Sequence, residues 1–509
     1  MTLSRGPVRA HLSELEELLE RSGVAPVLES LLPTGGRPRQ LPARTLLLGM
    51  LLAAADDRPA HLTRVLQALH SLAKNDQRRL GVLATRRGQQ HLLTYRQLEH
   101  TFASLRRGLA SEDGAPTEVL CRIVDGLLEA SVAERYKDLS PDLAVDWTDL
   151  AAFARPGSDD EPSADPDAYW GHRSGGGPGR ESEMFFGYYL QLATMVGEVN
   201  GPAVPELARR MVLASTRRHA PPLMVESLER LRGSGVSLGD VIADRGYSYA
   251  DAQTWATPLR RIGASLVHDL HPNDRGMKGT EAGAVIANGC LYCPATPVEL
   301  LQIEPLGREA TGEALAAHDR RTKELAAYKL ATVSAPDADG YYRLACPALS
   351  GKLRCPLREE SMSRPLDRPE ILEPPKTPPR CCVQQTVTIP PTVAQKTRQR
   401  NDYPGKAWRQ SFARRTAAER ANATIKDPSR MTIAPGWCRL MGLPGITLLV
   451  CCGVAIRNLR VTDAFEARLA EDRRRAALGL APKTRRRRRA HIGDGTAPRR
   501  RRPAPAVTT

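Results

Sequence analysis

The chain has no apolar run long enough to cross a bilayer. Its longest, roughly Gly445 to Ile456, is about a dozen residues, where a spanning helix needs about 20. It also lacks the basic start and apolar run of a secretory signal: Met1 to Gly23 reads as an amphipathic helix carrying Glu14, Glu16, Glu17 and Glu20. Without such a signal, ten cysteines in 509 residues read as reduced thiols or metal ligands, not as a disulfide framework. A cytoplasmic protein is the expectation. Acidic residues nearly vanish from 473–502, where thirteen Lys and Arg face only Asp494 and supply +12 of the formal net charge of +16. The positive balance suggests a polyanionic partner, but most of it belongs to the tail.

At 509 residues the chain exceeds one compact core, and roughly two to four domains are expected. Apolar residues make up 41%, enough for globular domains, while 40 Gly and 40 Pro imply many loops. Residues 1–135 carry helical periodicity. Leu12, Leu15, Leu18 and Leu19 recur on one face, and the stretches 46–52 and Leu62 to Leu69 extend the pattern. Two helices joined near Asp56 to Pro59 would suit a domain that grips DNA ends. An ordinary helical bundle accounts for the pattern as well.

The pattern changes at Leu143-Ala-Val-Asp-Trp-Thr148, a short apolar run ending in an acid, as a buried strand would. Residues 155–182, rich in Gly, Pro, Ser and acid, read as a mobile loop. Met184 to Ala193 and Met211 to Ala214 read as strands, Leu223 to Arg232 as a helix, and Val241 to Asp244 as a fourth strand entering a turn at Gly246. Three strands, a helix and a strand give the order of a ribonuclease H-like mixed sheet, an order other α/β domains share. The expected fold is therefore α/β: a helical N-terminal domain (1–135), a ribonuclease H-like mixed-sheet core (136–270 and 401–465), a β-rich or irregular insertion (271–400) and a disordered basic tail (466–509).

One stretch stands apart, Phe412-Ala-Arg-Arg-Thr-Ala-Ala-Glu-Arg-Ala-Asn-Ala-Thr-Ile-Lys426. Phe412, Arg415, Glu419 and Lys426 stand three, four and seven residues apart, a spacing that returns to one face of a single helix. A carboxylate between two cations and a ring suits an enzyme that holds a phosphate against a divalent ion. Two-metal cleavage of a phosphodiester needs several converging carboxylates. Magnesium takes oxygen ligands and keeps waters, so two or three acids suffice. Asp146, ending the first strand, and Asp244, ending the fourth, supply the others. Each has a plain alternative. Asp146 could start a loop or cap a helix, with Asp149 near enough to compete. Asp244 opens Asp-Arg-Gly, a common turn. Glu419 could pair with Arg415 on a solvated face.

The pieces Ala-Val-Asp146-Trp-Thr, Asp165-Pro-Asp-Ala-Tyr-Trp-Gly171, Ile-Ala-Asp244-Arg-Gly-Tyr247, and Arg415 to Lys426 with Asn422 together resemble one family. It is the bacterial insertion-sequence transposases of the DDE type, whose signature helix reads Tyr-x2-Arg-x3-Glu-x6-Lys. Trp437 to Gly442, leading to Ala455-Ile-Arg-Asn458, is similar too, so the likeness spans roughly 40–460. The resemblance implies that Asp146, Asp244 and Glu419 bind a pair of Mg²⁺ ions, with Mn²⁺ as a substitute. It implies Arg415 and Lys426 on phosphates of the transposon end, where charge fixes register without reading bases, and Tyr247 beside the DNA. Phe412 replaces the signature Tyr and so cannot donate a hydrogen bond to phosphate. The partners implied are double-stranded DNA, as terminal inverted repeats and target, and a second copy of the chain when ends are paired. Rival readings are a non-catalytic DNA-binding regulator, a ribonuclease H-like nuclease without strand transfer, and a zinc-stabilised interaction module.

Cys290-Leu-Tyr-Cys293-Pro has the spacing of a zinc knuckle. With Cys346 and Cys355 it makes a candidate zinc set. Those two, and Cys381-Cys382 further on, supply no clean second knuckle, so packed free thiols are the alternative. Cys451 and Cys452 lie in an apolar run and read as core. His268 and His271 receive no role, and Trp255 and Trp408 read as core before they read as base-stacking residues. Arg485 to Arg489 and Arg499 to Arg502 would add salt-sensitive DNA affinity through counterion release.

Overall fold

The computed structural model describes residues 12–35, 41–111, 113–158, 161–173, 183–307, 310–427 and 437–481. The architecture is mixed α/β, with antiparallel and parallel strand pairs accompanied by helices. The chain divides into two units. The first takes residues up to 197, 201–237 and 416–478; the second is built mainly on Leu238–Arg415.

The first unit opens with α1 (Leu12–Ser22), whose Leu12, Leu15, Leu18 and Leu19 are buried at the spacing read from the sequence. α2 (Val24–Ser30) follows, then α3 (Ala43–Ala55), buried along nearly its whole length. α4 (Leu62–His70) and α5 (Lys74–Arg79) lead into a hairpin, β1 (Leu83–Arg86) with β2 (Gln89–Leu92), which the helical reading of 1–135 did not anticipate. α6 (Tyr95–Gly108) starts at a capping box formed by Thr94 and Gln97, and α7 (Glu118–Ala130) at a Thr117 cap.

Strand β5 (Glu183–Met195) organises the sheet of this unit. One edge pairs antiparallel with β3 (Leu143–Ala151). The other edge is shared end to end by β4 (Tyr169–Arg173) and β6 (Ala208–Ser215). β3 does not end at Asp146, as its apolar start suggested. Trp147, Thr148 and Asp149 stay in register opposite Gln191, Leu190 and Tyr189, because an aromatic and a β-branched residue continue the strand. β4 likewise lies within 155–182, the stretch read as a loop. α8 (Ala220–Gly233) packs on β6.

In the second unit, β7 (Asp240–Ala243) runs parallel to β8 (Ser265–His268), with α9 (Ala256–Arg261) in the crossover. The region read as the insertion contains two small antiparallel sheets. One is β9 (Met277–Glu281), β10 (Ala284–Ala287) and β11 (Cys290–Tyr292). After α10 (Val298–Leu301) and α11 (Gly312–Tyr328), the other is formed by β12 (Ala331–Thr332), β13 (Tyr342–Ala345) and β14 (Val387–Ile389). Between the last two strands lie the single turns α12 (Glu359–Met362) and α13 (Arg380–Val383). The 17-residue α11 was not read from the sequence, although Thr311 caps it by accepting the Ala314 amide. α14 (Lys406–Ala413) completes this unit.

The chain then returns to the first unit with α15 (Thr416–Ile425) and α16 (Leu443–Ala477). The single helix expected over 412–426 is therefore two, broken at Arg414 and Arg415. No Gly or Pro causes this break. Arg414 turns onto the buried carboxylate of Asp240, which also accepts Ser411 Oγ at 3.1 Å, while Arg415 reaches Asp244 at 3.6 Å. Tertiary ion pairs override local helix propensity. α16 is apolar all round from Leu443 to Ile456 because it runs through the core, packed against α3, α7 and β6. The unbroken apolar run is short, but α16 as a whole is long and apolar enough by composition to cross a membrane; 83% of its most apolar 18-residue window is buried within the protein. Beyond the apolar run, Asn458 is fully buried; its side-chain amide accepts the Ala208 N–H through Oδ1 and donates through Nδ2 to the Ala208 carbonyl and to Ser131 Oγ. The helix continues to Ala477, past the boundary expected at 466. The arginine runs 485–489 and 499–502 lie outside the described residues.

Candidate active site

Two turns of α15 face β3. Asn422 Nδ2 donates to Asp146 Oδ2 at 3.2 Å, and Lys426 Nζ to Asp149 Oδ1 at 2.8 Å. Residues 419, 422 and 426 form one stripe of a helix, so Glu419 stands on the α15 face that meets β3, one turn before Asn422. Asp146 and Glu419 are both half-buried. The Oδ1 atom of Asn422 is buried and has no hydrogen-bond partner among the described residues. An amide oxygen left without a donor beside a carboxylate is a costly arrangement unless a cation or water completes it.

Asp149, which competes with Asp146 in the sequence, is distinguished from it here. Arg173 at 2.6 Å and Lys426 at 2.8 Å both bind its carboxylate. Burial alone would raise its pKa, but those two cations outweigh it and hold the carboxyl below its usual range. Asp149 is thus a neutralised anchor between β3, β4 and α15. Arg173 was not singled out from sequence; it lies two residues beyond the Asp165–Gly171 motif, and only the β4–β5 pairing brings it near. That motif itself opens α16: Asp165 Oδ1 accepts the Gly442 amide at 3.1 Å and Asp167 Oδ2 the Leu443 amide at 2.7 Å. Two carboxylates sit where the helix dipole favours negative charge. Burial raises the pKa of Asp165, against the hydrogen bond it accepts from Tyr188 at 2.6 Å.

In the second unit, Asp244 follows β7 and caps a short 3-10 turn, accepting the Arg245 amide at 2.6 Å. Its ion pair with Arg415 is part of a stack in which Arg415 lies over Phe412, 5.4 Å from the ring centroid, and Phe412 stacks on Trp408 at 4.9 Å. Phe412 packs and positions Arg415. Arg415 and Tyr247, for which DNA contacts are expected, are both packed within the second unit. Arg415 is buried, with its guanidinium committed to Asp244 and Phe412. Tyr247 is 0% exposed and lies on Trp255 at 4.6 Å, so its ring serves the core. Lys426 is partly exposed but holds Asp149.

Of the zinc set read from the sequence, Cys290 lies in β11, which ends at Tyr292, and Cys293 opens the turn that follows, its carbonyl accepting the Thr296 amide. Cys290 Sγ donates to Asp402, whose carboxylate also binds Lys329. Among the described residues, no group of three or more His, Cys, Asp or Glu is placed to hold a metal ion as it stands. Cys451 and Cys452 are fully buried in α16, as expected.

No known protein family, no curated protein and no solved structure matches this chain.

Proposed function

We propose that the chain is a DDE-type DNA transposase that cuts at transposon ends and joins them to target DNA. The observation that carries the reading is the apposition of α15 and β3, which puts Asp146, the amide oxygen of Asn422 and the Glu419 stripe on facing surfaces. These are all oxygen donors, the kind magnesium takes. Asp146 and Glu419, with Asp244 as the third acid required by the family likeness, would hold the metal. Bound there, Mg²⁺ would supply Lewis-acid stabilisation of the phosphodiester and lower the pKa of a water.

The chain's own residues would keep the acids in place. Asn422 orients Asp146 from one side, and the Asp149 anchor ties α15 to β3 through Lys426. Arg415 restrains Asp244. Water and then a freed DNA 3′-OH would be the nucleophiles of successive in-line displacements, and two copies would pair the ends.

The test is a supercoiled plasmid carrying the gene with its native flanks, incubated with the protein and Mg²⁺. Excision at the flanking inverted repeats and joined products are expected, with loss of both in Asp146→Ala, Asp244→Ala and Glu419→Ala while end binding persists. Binding by the wild type without any metal-dependent cut would replace the reading with a DNA-binding regulator. Cleavage without joining would replace it with a nuclease.

A further inference from the structure

Three cysteines of the second unit share one local design. Cys293-Pro-Ala follows β11, Cys346-Pro-Ala follows β13, and Cys355-Pro-Leu lies in the loop beyond. After each, the chain folds back on the cysteine carbonyl: Thr296 N at 3.0 Å on Cys293, Ser350 N at 3.2 Å on Cys346, and Arg358 N at 2.9 Å on Cys355. Within each turn a backbone amide two residues on donates to the sulfur: Ala295 to Cys293, Ala348 (with Leu349) to Cys346, and Leu357 to Cys355. Proline fixes φ and carries no N–H, so the next amide is the one left to aim at the sulfur. Three buried cysteines in amide-donating turns are arranged for thiolates, which accept such hydrogen bonds far better than neutral thiols do.

These turns belong to one core. Cys293, Cys346 and Cys355 lie in the same apolar cluster, and Leu357 packs against both this cluster and the adjacent one that holds Cys381 and Cys382. Each of the three sulfurs lies within electrostatic reach of the Cys382 sulfur. Cys381 bonds to Cys382 from the same turn. Four such groups cannot ionise together in an apolar core without a cation, although their turns are built to receive charge.

We propose that Cys293, Cys346, Cys355 and Cys382 form a tetrathiolate site for a structural zinc ion that staples the two small sheets of the second unit. Zinc is four-coordinate in such sites, with sulfurs about 2.3 Å from the metal. The sulfurs are neighbours rather than already closed on one point, and binding would draw them in with loss of their protons. Cys290 is not a ligand, because it faces Asp402. The site stands apart from the proposed carboxylate chemistry and does not depend on it.

The test is elemental analysis of the full chain, expressed without a histidine tag and purified without chelators. One zinc per chain is expected, retained in Cys290→Ser and lost in Cys293→Ser and Cys355→Ser. Because a ligand variant can fail to fold, two measurements use the wild type alone. Thiol-specific mercurial titration should release zinc to a metallochromic dye in step with sulfur modification. Cobalt replacing the zinc should give the intense thiolate charge-transfer absorption of a tetrahedral sulfur site. Substoichiometric zinc with no cobalt–thiolate band, iron in place of zinc, or zinc loss in Cys290→Ser equal to that in Cys293→Ser would each overturn the proposal.

Discussion

Replacing His268 with leucine should make the protein less sensitive to acid. His268 ends β8 at 1% exposure, with neither ring nitrogen hydrogen-bonded among the described residues. Its backbone is held on both sides by Gln399, through bonds of 2.9 Å at N–H and carbonyl, and Trp408 Nε1 donates to the same carbonyl. The ring therefore cannot rotate out to water without breaking the strand end. Burial lowers its pKa to about 4, helped by the charges of Arg260 and Lys396 and opposed by Asp274. In the unfolded chain the value returns to about 6.5. Between those values the unfolded state binds a proton that the folded state refuses, so stability falls as pH drops from about 6.5 toward 4. The full gap is worth about 3 kcal/mol, and about 2 kcal/mol of it should appear between pH 7 and pH 5. Urea unfolding of the wild type and His268→Leu at those two pH values isolates the effect, since other titrating groups are common to both proteins. The variant should lose less stability on acidification by that amount. Equal losses would refute the reasoning, and would mean that the ring reaches a hydrogen-bond acceptor or solvent in the folded state.

Other substitutions should report on stability in the first unit. Glu129 on α7 holds two buried guanidiniums, Arg209 and Arg210, with Arg210 NH1 at 2.8 Å. Glu129→Ala removes the carboxylate they share, leaving Arg209 on the Lys137 carbonyl and Arg210 on the Arg209 carbonyl and Asp125. It should cost about 2–4 kcal/mol in urea unfolding, and a cost below about 1 kcal/mol would mean that these remaining partners suffice. Asp149→Ala removes the shared partner of Arg173 and Lys426. It should cost about 1–3 kcal/mol, discounted for partial exposure, and leave metal-dependent cleavage detectable where Asp146→Ala abolishes it. Complete loss of cleavage at unchanged stability would exchange the roles of the two aspartates.

Legibility from sequence followed the range of the interaction that decides each feature. The leucine spacing of α1 and the aromatic run of β5 are local signals, and both elements stand where their periodicity puts them. β3 ran past Asp146 because β5 pairs with it as far as Ala151, a decision made well downstream in the chain. The reading of Glu419 with Arg415 on one face assumed an unbroken helix. Nothing between 412 and 426 disfavours one, and the break is set by Asp240 and Asp244, far upstream. Cysteine spacing was equally local. It could not show that Cys290 meets Asp402, far downstream, while Cys293 opens a turn into a different set of neighbours. Arg173 had no local signal at all. Asn422, by contrast, was visible within the signature, and its contact with Asp146 supplies a physical reason for an amide at that position.

The broken signature carries its own argument. Phe412 and Arg415 belong to the second unit and Glu419 and Lys426 to the first. Each pair is tied to acids of its own unit: Arg415 to Asp244, Lys426 to Asp149. Read as one helical face, the motif suggested cations free to grip phosphate. As folded, its cations pair with carboxylates and help to fix acid positions. Phe412 fits that role without a hydroxyl, since stacking on Trp408 and lying under Arg415 requires only a ring. The substitution that looked like the loss of a phosphate contact is then no loss to the carboxylates. A cation that pairs with an acid holds that acid in one orientation, and a fixed orientation is a precondition for coordinating magnesium. Under the proposed function, these residues would serve metal chemistry through the acids they hold.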